Sequence, residues 1–222
     1  MVQLPSLSKR FHDISQRCII AIDGTAASGK GTIANLLAAK FSLLHCQTSI
    51  FYRSLALKVI ENHIKSEDIK QIVLLSKEQN LDVKNSKALY TEDVTQMTSI
   101  IAAIPEVRQN LYPIQRNFLL THNRVVMEGR DIGTTIAPDA DLKLYVTAND
   151  EIRAKRRFKQ LVASGRDSTI DEVLRNLRER DDRDQNRSSS PLKPAEDAII
   201  IDTSSLTIEE VVTLILQQID NR

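Results

Sequence analysis

IIAIDGTAASGKGT, residues 19–32, runs an apolar stretch into a loop of small residues with a lone lysine, and then into a segment of helical apolar period. Within it, Gly24-x-x-x-x-Gly29-Lys30 follows a strand and opens a helix, the context in which this string reads as a P-loop. Small residues let backbone N–H groups turn inward around a phosphate chain. The helix start adds positive potential, and Lys30 supplies a mobile charge for the outer oxygens. The competing reading is a glycine-containing strand-to-helix turn with a solvated lysine.

Working outward, five stretches read as strands: CIIAI (18–22), a weaker one near HCQTSI (45–50), RVVME (124–128), LKLYV (142–146) and AIIID (198–202). Four are nearly continuous in apolar, β-branched character, as strands covered on both faces are. Helix-period segments lie between them: Ile33, Leu36, Leu37 and Phe41; Val94, Met97, Ile101 and Ile104; Ile208, Val211, Val212, Ile215 and Ile219, the last opened by a capping box of Thr207 and Glu210. The alternation predicts a parallel α/β sheet. Residues 62–104 break the pattern, being largely helical with one strand-like piece (LDV, 81–83), and read as an inserted subdomain. Residues 166–197, from the helical Ile170, Val173, Leu174 and Leu177 into RERDDRDQNRSSSPLKP, read as a charged flap.

The 222 residues, 41% hydrophobic, suffice for one sizeable core. A formal charge of +1, from 30 basic against 29 acidic residues, leaves no global field to recruit nucleic acid or an anionic membrane, so any anion site must be local. No apolar run is long enough for a membrane span, and the first 17 residues lack a signal peptide's apolar region, which predicts a soluble, unexported chain whose start is a frayed or loosely docked extension. Cys18 and Cys46 have no metal or redox spacing and read as small buried residues in a reducing compartment.

Arginines stand where phosphate would need them, because phosphoryl transfer is accelerated mainly by positioning and by charge stabilisation. EGRDIGT (128–134) leaves the C-terminal end of a predicted strand, bringing Arg130 and Asp131 to the ligand edge of an open α/β sheet. In RERDDRDQNR (178–187), Arg180, Arg183 and Arg187 are spaced i, i+3, i+7, which predicts three guanidinium groups on one helix face that repel unless an anion meets them. IFYRSLA (50–56) adds Arg53 near a helix start.

Taken in order, GTAASGKGT, FYRSLA, TSIIAAIPEVR, EGRDIGT and RERDDRDQNR resemble the bacterial cytidylate kinases, from about Cys18 to the C-terminus. The resemblance implies a P-loop fold with a five-stranded parallel sheet flanked by helices. A single kinase domain, 18–222, would carry a nucleoside-monophosphate-binding insert at about 62–104 and a short lid at about 166–190. It implies a cytoplasmic, monomeric enzyme with neither nucleic acid nor membrane as partner, moving phosphate from ATP to CMP or dCMP with Mg²⁺. By the same resemblance Gly24, Thr25, Ala26, Ala27, Ser28, Gly29, Lys30, Gly31 and Thr32 hold the ATP phosphates, with Mg²⁺ travelling on the nucleotide and Thr32 reaching it through water. Arg53 and Arg130, with Thr48 beside them, bind the acceptor; Ser99, Arg108 and Asp131 line the cytosine pocket. Asp184 touches the sugar, Arg187 reaches across the acceptor, and Arg180 and Arg183 close from the lid. The catalytic cations are then Lys30, Arg130, Arg180, Arg183 and Arg187.

The chain departs from that pattern in places. Ala27 replaces a glycine, and alanine is strained at positive φ. Gln47, Thr48 and Ser49 stand where an Asp, a Ser or Thr, and a Gly are usual, so a carboxylate is missing. The insert is short, and Tyr90 replaces an arginine. Two alternatives compete: another small-molecule P-loop kinase preferring UMP or AMP, and a nucleotide-binding regulator that has lost turnover.

Overall fold

The computed structural model describes residues 7–78 and 87–221. The central strand is β1 (Cys18–Gly24), buried along its whole length, with Ile19 and Ala21 facing one core and Cys18, Ile20 and Ile22 the other. It pairs in parallel with β3 (Arg124–Gly129) on one side and β4 (Leu142–Thr147) on the other; β2 (Leu44–Gln47) and β5 (Ile199–Asp202) complete a five-stranded parallel sheet of order β2-β3-β1-β4-β5. The chain order reverses at β1, and the crevice beyond the carboxyl ends at such a point is where open α/β sheets hold ligands. Register sets Asp23 opposite Gly129 and Tyr145, so the loops leaving β1 and β3 emerge side by side.

One sheet face is covered by α3 (Ser49–Glu61), α5 (Glu92–Ile101) and α6 (Pro105–Thr121), with α4 (Ile69–Ser76) packed outside them. The other is covered by α2 (Lys30–Phe41) and α9 (Ile208–Asp220). The Thr207–Glu210 capping box is present. A smaller cluster joins α7 (Asp150–Ala163) to α8 (Ile170–Asn186) through Ala154, Leu161, Val173 and Leu177, and Ala26 of the P-loop packs into it. Both thiols are pushed up to about 12 by burial, which leaves them inert packing groups.

Several expectations change. Within the N-terminal extension, residues 7–12 are docked: α1 (Leu7–His12) buries Leu7 and Phe11, Phe11 meets the Phe41 ring edge-on at 5.3 Å, and Arg10 reaches Asp141 at 2.5 Å. The weaker strand ends at Gln47, because Thr48 turns the chain into α3. Helices α6 and α7 occupy segments without a continuous apolar stripe. The strand-like LDV piece lies outside the described residues.

Candidate active site

The P-loop is held open by partners for its carbonyls. Thr25 O accepts from Lys30 Nζ at 2.8 Å, Ala26 O from Arg153 Nη1 at 3.1 Å, and Ser28 O from Thr203 Oγ1 at 2.9 Å. Gly24 admits no side chain, since a Cβ there would fall 1.9 Å from Val146 O. The turn into α2 uses positive φ at Gly29 (95°) and also at Ala27 (57°), so the alanine adopts the conformation in which an L side chain is strained. Thr25 Oγ1 and Ser28 Oγ are buried without a hydrogen-bond partner.

Beyond the loop lies a cavity of about 170 Å³ lined by five cations, Lys30, Arg53, Arg130, Arg157 and Arg180. Burial, and then Arg130, pull the Lys30 ammonium down to about 7, while burial and the same Arg130 bring Arg180 down to about 10. Such crowding is unfavourable in an empty site and favourable around phosphate. Arg53 is pre-aimed: its Nη1 donates to Leu89 O (2.8 Å) and Thr95 Oγ1 (3.1 Å), and its guanidinium lies 5.1 Å over the Tyr90 ring, so Tyr90 supports a cation rather than supplying one.

Of the three arginines of RERDDRDQNR, Arg180 and Arg183 line one cleft and Arg187 departs from their face. Arg180 also enters the 170 Å³ cavity. Arg183 stays at the rim of an adjoining cleft, its Nε donating to Glu179 O at 3.2 Å. Arg187 sits past the end of α8 in extended backbone and is buried. The counter-ion is already present: Asp184 accepts from Arg130 Nε at 2.8 Å and lies 3.7 Å from Arg187 and 4.0 Å from Arg180. Burial alone would raise its carboxyl, but the arginines win and hold it below the usual carboxylate range.

The adjoining cleft, about 620 Å³, runs between α5 and α7–α8 and includes Ser99 in its wall. Deeper in the site, Asp131 accepts from Arg108 Nη2 and lies 3.5 Å from Arg187. Arg108 also donates to Ala102 O at 3.3 Å and lies 5.6 Å over Tyr52. Ser99 Oγ, Arg108 Nε and Arg187 Nη2 are buried with no hydrogen-bond partner. Orphaned polar atoms on both sides of a paired carboxylate are what a polar ligand would complete. Thr48 is spent on the scaffold, its Oγ1 donating to Glu128 O at 2.9 Å.

The sequence reading missed three residues. Arg157 lines the 170 Å³ cavity; Arg153, buried at 3% exposure, bonds Ala26 O, Ala148 O, Asp150 and Asp181; and Glu128, next to the end of β3, lies beside Gly31 and 3.1 Å from His45. The available signal was RAKRR (153–157), a basic run at helical spacing after a strand. Among the described residues no cluster of three or more His, Cys, Asp or Glu could hold a metal, and no helix is long and apolar enough to cross a membrane.

Residues 20–221 match the sequence description of the family named cytidylate kinase. The chain is similar to a cytidylate kinase of Rickettsia felis, 51% identical over 216 residues that cover 97% of this chain and 98% of the relative. Solved structures of a Sinorhizobium meliloti gluconokinase (TM-score 0.50, 12% identity, 92% of this chain and 93% of the other) and a Bacteroides thetaiotaomicron shikimate kinase (0.50, 10%, 92% and 99%) share the fold.

Proposed function

The chain belongs to the cytidylate kinase family, whose reaction carries the γ-phosphoryl group of ATP to CMP or dCMP, and on that premise we propose a division of labour along its cleft. The P-loop, Gly24–Thr32, takes the ATP phosphates, with Lys30 on the outer oxygens. Arg53, Arg130, Arg157 and Arg180 surround the place where the acceptor phosphate meets the γ-phosphorus. An acceptor oxygen forms the new P–O bond as the bond to the β-phosphate oxygen breaks and ADP leaves. No protein nucleophile and no covalent enzyme intermediate are needed; the protein supplies alignment and charge.

Mg²⁺ suits this site as a companion of the nucleotide. The chain offers Thr32 and the buried carboxylate of Glu128 beside the start of α2, too few ligands for a protein cage but enough for an ion that keeps waters and phosphate oxygens. Bound there, it would neutralise charge on the β- and γ-phosphates.

The observation that carries the acceptor assignment is the Ser99, Arg108, Asp131 and Arg187 set with its unpartnered atoms. Cytosine offers an N4 amino donor beside an N3 acceptor, and uracil reverses both. Asp131 accepts from N4, and Arg108 donates to N3; against uracil they meet acceptor to acceptor and donor to donor. A buried mismatch costs about 1–3 kcal/mol, so cytosine should be favoured at least ~10-fold in kcat/KM. A coupled assay with ATP and Mg²⁺ offered CMP, dCMP, UMP, AMP and GMP in turn tests this, with Arg108→Met expected to lower CMP use far more than UMP use. Equal use of CMP and UMP by the unaltered enzyme would refute the pocket assignment.

A further inference from the structure

Asp131 occupies the N-cap position of a single wide turn, Ile132–Ile136, yet its side chain caps nothing and is turned to Arg108 and Arg187. A short polar residue in that position ordinarily accepts from the free N–H groups of its own first turn, as Thr91, Asn149, Thr169 and Thr207 do for α5, α7, α8 and α9. Here the first two N–H groups of the turn are satisfied from β1 instead. Ile132 N donates to Asp23 Oδ1 and Gly133 N to Asp23 Oδ2, both at 2.7 Å and across 109 and 110 residues of chain. Asp23 is 3% exposed, and both of its oxygens are used. The turn is of the π type, its Asp131 carbonyl accepting from Thr135 N and Ile136 N, a geometry that recurs at functional sites.

We propose that Asp23 is a positioning residue for acceptor specificity, capping the Asp131 turn from the neighbouring strand so that the Asp131 carboxylate is left free to face the base. This rests on the reading of Asp131 given above. The logic is competition for one carboxylate. Two buried N–H groups left without Asp23 must find an acceptor, and the nearest candidate by chain geometry is the N-cap residue itself, Asp131. A recaptured Asp131 would be withdrawn from Arg108, Arg187 and the amino group of cytosine. Because Asp23 directly precedes Gly24, the strand that launches the ATP loop also fixes the acceptor-selecting carboxylate.

The test compares Asp23→Asn, Asp131→Asn and the double variant by KM for CMP and for ATP, kcat, and the CMP-to-UMP ratio of kcat/KM, with thermal unfolding of each. Asparagine keeps the size of Asp23 but presents an NH₂ to one of the two N–H groups. Asp131→Asn should raise KM for CMP about 10-fold and lower the ratio. Asp23→Asn should reproduce most of that change with KM for ATP within about twofold, and the double variant should add little to either single change. If Asp131→Asn acts as described while Asp23→Asn lowers only the melting temperature, Asp23 is structural and the proposal fails with the pocket intact. If Asp131→Asn leaves CMP use unchanged, the pocket reading fails and takes the proposal with it. Should Asp23→Asn not fold, hydrogen exchange on the unaltered protein decides. Ile132 and Gly133 amides equally protected with and without CMP support the cap, and amides that exchange freely until CMP binds overturn it.

Discussion

Lys30 is a residue whose chemistry is exposed to pH near neutrality. In the empty site burial and then Arg130 lower its ammonium to about 7, from an ordinary value of 10.5, whereas phosphate oxygens beside it favour the charged form again. Between those two values the free enzyme holds fewer protons at Lys30 than the complex, so nucleotide binding must take up a proton and affinity must fall as pH rises above about 7. Calorimetry at pH 8 in buffers of different ionisation enthalpy should therefore show proton uptake on ATP binding, and Lys30→Ala should abolish that uptake along with turnover. Uptake that persists in the variant would locate the proton elsewhere. Ala27 offers a second test at this scale. Its φ of 57° costs about 1–2 kcal/mol for an L-residue, partly offset by the smaller unfolded-state entropy of alanine relative to glycine, about 0.4–1 kcal/mol. Ala27→Gly should be net stabilising by about 0.5 kcal/mol in urea unfolding, and a destabilised variant would mean the loop relies on the alanine side chain.

Element by element, the helices and strands that sequence revealed are those that bury apolar stripes. β1, β3 and β4 are nearly continuous apolar runs, and α2 and α9 present Ile33, Leu37 and Phe41 or Val211, Ile215 and Ile219 to the core. What stayed hidden had physical reasons. In α6 the interior Pro113 argues against a helix, and the inward face includes Arg108 and Gln115. In α7 the residue at the centre of the packing is an arginine: Arg153 is as buried as the leucines around it, paired with Asp181 of α8 and bonded to the P-loop at Ala26. No periodicity of apolar residues could reveal a helix anchored by a buried ion pair, and Arg157 went unseen with it. The candidate site was legible where an arginine or aspartate lay in a recognisable string, Arg187 included, but not where a role depends on distant partners, as for Asp23, nor where the backbone leaves the helix, as it does at Arg187. Removing one member of a buried pair leaves a charge uncompensated, at a cost of about 3–5 kcal/mol. Arg153→Met should accordingly lower stability by about that much and raise KM for ATP more than KM for CMP, since the lost bond is to the P-loop carbonyl. An equal rise in both would assign Arg153 to general lid placement.

At the scale of the whole molecule, the sheet separates what stabilises from what reacts. Phe11 and Leu7 join the α2–α9 core, while the reactive edge lies beyond the carboxyl ends of the strands. Phe11, fully buried against Phe41, should cost about 3–5 kcal/mol when replaced by alanine. At temperatures where the variant is folded kcat should be unchanged, and a lower kcat would tie the N-terminal helix to the site.

Closure of the cleft over substrate is the other expectation at this scale. Glu92 of α5 lies 3.6 Å from Arg157 of α7 and 3.9 Å from Arg166 in the loop after it, and Arg166 donates to Tyr90 O at 2.5 Å. These charges are partly solvated, and such pairs contribute about 0–1 kcal/mol, too little to hold two elements together. The crowded cations Lys30, Arg53, Arg130, Arg157 and Arg180 oppose closure over an empty cavity and favour it once phosphates enter, so substrate rather than the Glu92 bridge should set the closed population. Amides of residues 170–186 should therefore gain more than ~10-fold protection from hydrogen exchange when a bisubstrate analogue binds, a shift of at least ~1.4 kcal/mol. Glu92→Gln should change that gain by less than about fivefold. Protection that is the same with and without the analogue would show that α8 is a fixed wall, and loss of the gain in Glu92→Gln would make the bridge, not the phosphates, the closing force.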